Sequence, residues 1–289
     1  MKKILLLTDF SEASRQALTY ARAFFGDTVA DFHLLCAHPV EPDSFYGTKH
    51  VSTTARAAFA DALYDLVASL RREAANDWHT FRSSACPGPL LDAVNEALSN
   101  ETYDYVVIGA KKDGTNELFG NTATTLVRYL NANLLVVPVD SQIRPIRRVV
   151  LATDFASLTD CKLLCPVKDI VTLKGATLTL LTIDTPHKQV VTTDQELRIR
   201  QFLTPVEPRT ARLEAPTARQ GIDAYVAGHP IDLLISIPKH KGWTDILASN
   251  SVTRSLVFAP AVPTLTLYDS GSRDKPQAID DLSNLDYAL

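Results

Sequence analysis

One sequence pattern occurs twice in this chain. Residues 4–10 read Ile-Leu-Leu-Leu-Thr-Asp-Phe and residues 149–155 read Val-Val-Leu-Ala-Thr-Asp-Phe, so Asp9 and Asp154 are 154 − 9 = 145 positions apart. A repeat of this length in 289 residues indicates two copies of one domain rather than a stack of short repeats. The predicted divisions are a first domain at 1–140, a linker at 141–147, a second domain at 148–269 and a disordered tail at 270–289.

Apolar runs within each half predict buried strands. The continuous run at 4–7 is typical of an interior parallel strand that is covered on both faces. Helical periodicities separate such runs, and this alternation predicts an α/β fold in which each half is an open five-stranded parallel sheet with helices on both faces. The predicted strands are 4–7, 31–37, 78–84, 105–108 and 134–138 in the first half, and 148–151, 176–183, 209–214, 232–237 and 262–268 in the second.

Composition excludes several classes of function. The net charge of −4 and the pI near 6.0 argue against nucleic-acid binding and against binding to anionic membranes. No run approaches the roughly 18 apolar residues of a membrane helix, and the N-terminal run is too short for a signal peptide. Cys36, Cys86, Cys161 and Cys165 lack CxxC spacing, and Cys86 opens a predicted turn that ends at Pro89. We therefore expect buried, reduced thiols and a cytoplasmic protein.

The first half carries a candidate anion site. Gly109 follows the apolar run at 105–108, and Gly114 and Gly120 mark a predicted loop that ends at Asn121 and Thr122 before a helix. Glycine lets the backbone approach a phosphate, and a helix N-terminus presents free N–H groups to it. Ligands of parallel sheets bind outside the carboxyl ends of the strands, so we expect this loop and the Asp9 turn to face one crevice.

Two interpretations of Asp9 and Asp154 stay open at this level. Either carboxylate could hold Mg²⁺ beside a phosphate or bind a polar edge of a ligand, and either could instead cap the turn into the next helix. In the second half, Pro238 takes the place expected for Gly109, and Lys241 and Trp243 fill the space that a phosphate would need. We therefore expect a ligand in the first half rather than the second.

Familiar catalytic motifs are missing from the sequence. It contains no GxGxxG after a strand, no Walker A motif and no GxSxG elbow. None of His33, His38 and His240 pairs recognisably with a serine or cysteine nucleophile. A receiver domain is disfavoured because Asp9 stands alone at the first strand end.

Over residues 1–269 the chain resembles a tandem universal stress protein. The resemblance rests on the Thr-Asp-Phe turns after both first strands, on Gly120-Asn121-Thr122 and Asn250-Ser251-Val252, and on the closing strands that include Pro138 and Pro263. It implies the fold of the adenine nucleotide alpha hydrolases in each half, with the halves packed as a pseudo-dimer. Members that bind ATP carry a G-x2-G-x9-G-[ST] motif, and this chain departs from it at Lys112 and at Asn121.

By that resemblance, the first half would bind ATP or another adenine nucleotide, with Mg²⁺ as a companion ion. The residues expected to line the site are Thr8, Asp9, Ala37, Gly109, Gly114, Gly120, Asn121 and Thr122. The expected function is that of a non-catalytic stress-response protein, which could also pair as a homodimer. The alternatives are a protein-interaction module that binds no nucleotide and a slow ATP hydrolase.

Overall fold

The computed structural model describes residues 1–38, 53–73, 78–110, 126, 130, 132–155, 158, 160–186, 193–237 and 261–268. The predictions for Gly114, Gly120, Asn121 and Thr122, for the second-half loop at 238–260 and for the tail lie outside these residues. The elements are β1 (Lys2–Leu7), α1 (Glu12–Phe24), β2 (Ala30–His38), α2 (Thr53–Glu73), β3 (His79–Pro87), α3 (Leu90–Asn100), β4 (Tyr105–Ala110), β5 (Asn133–Pro138), β6 (Arg148–Ala152), α4 (Cys165–Lys174), β7 (Thr177–Asp184), α5 (Thr193–Leu203), β8 (Arg209–Glu214), α6 (Ala218–Gly228), β9 (Leu233–Ser236) and β10 (Thr264–Thr266).

The ten strands of the described residues form one sheet in the order β3-β2-β1-β4-β5-β10-β9-β6-β7-β8. Pairing is parallel within each half, while β5 and β10 are antiparallel, with Leu135 opposite Leu265. The parallel five-stranded arrangement predicted for each half is therefore present, but the two sheets are continuous rather than separate. The β5–β10 pairing satisfies the backbone groups that two open sheet edges would otherwise expose.

Helices cover both faces of the sheet. On one face α1, α2, α4 and α5 bury a cluster that runs through both halves, from Ile4 and Phe32 to Leu180 and Ile235. On the opposite face α3 covers a first-half cluster around Leu5 and Ile108, and α6 covers a second-half cluster around Val150. No helix of the described residues is both long and apolar enough to span a membrane.

The two halves repeat one backbone contact in the same geometry. In the first half, Lys3 N–H donates to the Asp104 carboxylate at 2.8 Å, and Asp104 N–H donates to the Lys3 carbonyl at 2.9 Å. In the second half, Arg148 N–H donates to the Asp232 carboxylate at 2.9 Å, and Asp232 N–H donates to the Arg148 carbonyl at 3.0 Å. An aspartate placed just before an apolar strand thus fixes the start of the neighbouring strand in both halves.

Two predictions about the cysteines are wrong. Cys86 and Pro87 are the last residues of β3 rather than the start of a turn, because parallel pairing with Ala37 and His38 continues through them. Cys165 is exposed rather than buried, since it begins α4 on the solvent side while Val167 and Ile170 face the core. Cys36 is buried as expected.

Candidate functional site

The sheet order predicts a ligand crevice beside β1. In the first half β1 lies between β2 and β4, so the chain leaves β1 in one lateral direction and later returns on its other side. Such a switch in strand order opens a ligand crevice at the carboxyl ends of the strands. Thr8 N–H donates to the Leu35 carbonyl at 2.9 Å, which sets Thr8 and Asp9 beside Ala37 near the end of β2.

The Thr8-Asp9-Phe10 turn is held by two local hydrogen bonds. Phe10 N–H donates to Thr8 Oγ1 at 3.2 Å, and Ser11 N–H donates to Asp9 Oδ1 at 3.0 Å. Phe10 has φ of 61°, a left-handed conformation that is unfavourable for a bulky residue and is found often at functional sites. The capping interpretation of Asp9 is therefore confirmed, and its carboxylate is exposed to solvent at the crevice.

The N-terminus of α1 lies directly behind this turn. Ser11 caps the helix as predicted, because its Oγ accepts from Ser14 N–H at 3.3 Å. Thr8 Oγ1 donates to Ser14 Oγ at 3.2 Å and so ties the helix to the end of β1. The helix has 13 residues, and its dipole favours negative charge at this end.

Gly109 lies in β4 and does not open a loop, contrary to the sequence prediction. It pairs with Val137, and the pairing continues to Ala110 opposite Pro138. A Cβ atom at position 109 would overlap the carbonyl group of Ala13 and lie 2.9 Å from the Ser14 nitrogen. Gly109 is therefore needed for the close packing of β4 against the first turn of α1, which brings the helix N-terminus to the crevice.

A stack of rings lies at the carboxyl end of β2, where α2 packs against it. The His38 and Phe59 rings are 5.2 Å apart and nearly parallel, at 7°, and Phe59 also stacks on Phe10 at 6.4 Å. The histidine ring is buried, with 1% of its surface exposed. Sequence reasoning missed this stack, although Phe10 and His38 each stand at a strand end, where a side chain can reach the crevice.

The second half repeats the turn but not the helix that follows. Phe155 N–H donates to Thr153 Oγ1 at 3.1 Å, and Phe155 has φ of 55°. However, the first described helical residues after Asp154 are those of a 3-10 helix, Cys161–Leu164, which begins 161 − 154 = 7 residues after Asp154 and runs into α4. In contrast, α1 starts 12 − 9 = 3 residues after Asp9. The α4 N-terminus therefore does not directly follow the turn as the α1 N-terminus does.

The strand registers also correct the residue that matches Gly109. Ile4 is opposite Tyr105 and Val149 is opposite Leu233. Because 109 − 105 = 237 − 233 = 4, the counterpart of Gly109 is Ile237 and not Pro238. The Ile237 side chain packs against the core that both halves share, so the second half has a bulky side chain where the first half has bare backbone.

Four of the eight predicted site residues can be placed. Thr8, Asp9 and Ala37 lie together at the ends of β1 and β2, and Gly109 lies beside them in β4, beneath the first turn of α1. The structure does not describe the other four. No group of three or more metal-binding side chains occurs among the described residues.

A second polar cluster lies on the α3 face of β2 and β3. His33 Nε2 is 2.7 Å from Ser84 Oγ, and His33 Nδ1 is 2.5 Å from the Tyr103 hydroxyl. The sequence alone does not indicate this contact of His33 with Ser84, which arises from the pairing of β2 with β3. Burial and the neighbouring Arg82 guanidinium lower the pKa of His33 to about 4.

Comparison with known proteins gives a family match over the first part of the chain and a shared fold. Residues 1–138 match the model of the universal stress protein family. Among curated proteins, none matches the chain. The structure is similar to a universal stress protein from Archaeoglobus fulgidus, with a TM-score of 0.69 at 15% identity over 91% of this chain and 97% of that one.

Two further structures share the fold at similar length. A protein of unknown function from Pseudomonas aeruginosa has a TM-score of 0.62 at 16% identity, covering 92% of each chain. The cytoplasmic domain of a prokaryotic cation chloride cotransporter has a TM-score of 0.52 at 12% identity, covering 94% of this chain and 97% of that domain. The α/β fold is thus that of universal stress proteins, and the first half of the chain, residues 1–138, carries the sequence pattern of that family.

Proposed function

We propose that this chain is a stress-response protein of the universal stress protein type that binds an adenine nucleotide in its first half without turnover. The second half completes a pseudo-dimer through the β5–β10 pairing and leaves its own crevice without a ligand. The nucleotide binds at the carboxyl ends of β1, β2 and β4, with Mg²⁺ accompanying its phosphates. An adenine-nucleotide ligand also fits the cytoplasmic location proposed for the protein, because adenine nucleotides are abundant in the cytoplasm.

The difference between the two crevices supports this proposal most directly. In the first half, Gly109 packs on the backbone of Ala13 and Ser14 and holds the start of α1 at the switch in strand order. The second half keeps the Thr-Asp-Phe turn but has Ile237 in the glycine position and a helical segment, starting as a 3-10 helix at Cys161, that begins four positions later, since 7 − 3 = 4. An anionic ligand therefore gains the helix dipole and free backbone N–H groups only in the first half.

The role proposed for Asp9 is recognition rather than catalysis. Its Oδ1 accepts the Ser11 N–H, which holds the carboxylate in one orientation at the crevice. An oriented, exposed carboxylate can accept hydrogen bonds from the ribose hydroxyls or the exocyclic amine of the ligand. The partly exposed rings of Phe10 and Phe59 add an apolar wall for a flat base, and the buried His38 ring supports Phe59 from behind.

Titration calorimetry with ATP, ADP and AMP, with and without Mg²⁺, tests the proposal. The informative variant is Asp9→Asn, which keeps the oxygen that accepts the Ser11 N–H but removes the negative charge. Asp154→Asn, at the repeated position, is the matched control. We expect Asp9→Asn to weaken binding by about tenfold and Asp154→Asn to leave it unchanged. An absence of heat from the unmodified protein at millimolar nucleotide contradicts the proposal.

A protein-interaction module that binds no nucleotide is the second candidate. The second half favours this candidate, because it has the same fold but lacks the contact between a helix N-terminus and a glycine backbone that Gly109 makes in the first half. This candidate predicts that the protein captures the same partners with and without added nucleotide, and that Asp9→Asn changes none of them. A partner whose capture depends on ATP supports the nucleotide-binding proposal instead.

A further inference from the structure

We propose that Ser84 is a nucleophile that accepts a short acyl group from an activated ester, with His33 as its general base. The step is a stoichiometric modification of the chain rather than a turnover reaction. It involves the α3 face of β2 and β3 and does not depend on nucleotide binding.

The geometry of a base and its nucleophile is already formed. Ser84 Oγ lies 2.7 Å from His33 Nε2, within the range in which an imidazole removes a hydroxyl proton. The other ring nitrogen lies 2.5 Å from the Tyr103 hydroxyl, so a third group fixes the orientation of the ring. His33 itself is buried, with 8% of its surface exposed.

The proposed base requires one tautomer of His33. The Tyr103 hydroxyl oxygen accepts a hydrogen bond from Arg82 Nη2 at 3.3 Å and keeps a second lone pair, so it can also accept the Nδ1 proton of His33 across the 2.5 Å contact. In this arrangement Nδ1 carries the ring proton and Nε2 presents a lone pair to Ser84.

The surrounding charges keep His33 neutral. Desolvation and the positive charge of Arg82 both disfavour the imidazolium, and they outweigh Glu101 and Asp31, so the pKa of His33 falls to about 4. Arg82 is fixed by its ion pairs, with Asp31 at 3.0 Å and with Glu101. At neutral pH the base is therefore fully available, although it is weaker than an ordinary histidine.

Ser84 keeps part of its surface exposed near the edge of the sheet. It is half-buried and lies on β3, which is an outermost strand of the sheet. Cys86, two residues further along β3, and Ala37, its partner in β2, are partly buried apolar residues that pack on the first-half cluster. This apolar surface beside the hydroxyl favours a short aliphatic acyl group over a charged one.

The acyl transfer to Ser84 needs no reactant other than the ester. Ser84 Oγ forms a bond to the carbonyl carbon of the ester while His33 Nε2 takes the hydroxyl proton. The tetrahedral adduct then breaks its bond to the leaving group, which departs with the proton from His33. The products are an ester of Ser84 and the free alcohol or phenol.

Reaction of the full chain with p-nitrophenyl acetate tests this proposal. We expect at most one equivalent of p-nitrophenol to be released rapidly, with the acetyl group found on Ser84 by peptide mass mapping. Ser84→Ala abolishes this phase, and His33→Gln slows it by about 100-fold. Ser83→Ala is the matched control, because Ser83 is exposed on the adjacent position of β3 and leaves the phase unchanged.

The dependence of the acetylation rate constant on pH distinguishes His33 from a histidine with an ordinary pKa. Since His33 is neutral well below pH 7, the rate constant should stay constant from about pH 8 to about pH 5.5. An inflection near pH 6.5, an equal rate in Ser84→Ala, or acetyl groups found only on lysines would overturn the proposal. Matching unfolding curves for the unmodified protein and Ser84→Ala exclude loss of structure as the cause.

Discussion

The Phe10 backbone N–H donates to Thr8 Oγ1 at 3.2 Å, and this bond closes the turn that ends β1. The second half repeats the bond between Phe155 and Thr153 at 3.1 Å. Both phenylalanines have positive φ, so both turns hold a side chain in a conformation that favours glycine. The threonine hydroxyl compensates part of that cost by satisfying the amide of the strained residue.

Replacing Thr8 by valine should destabilise the fold by about 1–3 kcal/mol, because the Phe10 amide loses its partner. Thr153→Val is the matched variant and should cost less, since Thr153 is half-buried whereas Thr8 is buried and also bonds Ser14. Urea unfolding at neutral pH measures both values. A smaller cost for Thr8→Val than for Thr153→Val would contradict this account of the turn.

Gly109→Ala should destabilise the protein by at least about 2 kcal/mol, since the new methyl group meets main-chain atoms of α1 that cannot rotate away. Gly228→Ala is the control, because a Cβ there meets nothing within 4 Å. We expect that control to be neutral or slightly stabilising. Thermal unfolding of the two variants distinguishes a packing constraint from a general intolerance of alanine.

Asp232→Asn should cost about 2 kcal/mol at neutral pH. Burial of Asp232 opposes its ionisation, but hydrogen bonds from Arg148 and from backbone N–H groups outweigh burial and hold the pKa of the carboxyl below its usual range. A depressed carboxyl pKa contributes stability above about pH 4, and that contribution is lost as pH falls through the folded-state pKa. The difference in unfolding free energy between the unmodified protein and Asp232→Asn should therefore become smaller as the pH is lowered into the acid range, which urea unfolding at several pH values measures.

Asp104→Asn provides the comparison for this prediction. Asp104 makes the equivalent backbone contact, yet 38% of its side chain is exposed, against 1% for Asp232. We expect its replacement to cost less than about 1 kcal/mol. An equal loss of unfolding free energy at the two positions would show that burial of the Asp232 side chain adds nothing to the stability that its hydrogen bonds contribute.

His33→Gln should flatten the dependence of stability on pH in mild acid. Burial, with a contribution from Arg82, lowers the pKa of His33 to about 4, while an unfolded histidine titrates near about 6.5. The unfolded chain therefore binds more protons between these values, and stability falls as pH is lowered from about 6.5 to about 4. Unfolding curves measured across that range should show a weaker slope in the variant, and an unchanged slope would contradict the assignment.

Much of the fold could be predicted from the sequence. The apolar runs around Leu6, Val107 and Leu135 identified central strands, because a strand buried on both faces has no polar positions. Ser11 was identified as a helix cap because its hydroxyl can satisfy a free N–H of the first turn. The pairing of β5 with β10 could not be predicted, since no local pattern specifies which distant edge a strand will meet.

The candidate site was only partly predictable. Glycine at position 109 was expected to leave room for a ligand, but its close neighbour is the backbone of Ala13, which only the packing of α1 on β4 reveals. His33, Ser84 and Tyr103 are scattered over 70 positions, and strand register brings the first two together. A polar residue inside the apolar second strand was the one local signal of that cluster.

Strand β5 meets β10 within a single polypeptide, so dilution cannot separate the two halves. The pairing of the two halves therefore does not require that either half bind a ligand. Covalent union of this kind allows the two crevices to differ, as they do at the equivalent positions of Gly109 and Ile237. The joint sheet of the described residues still ends at β3 and β8.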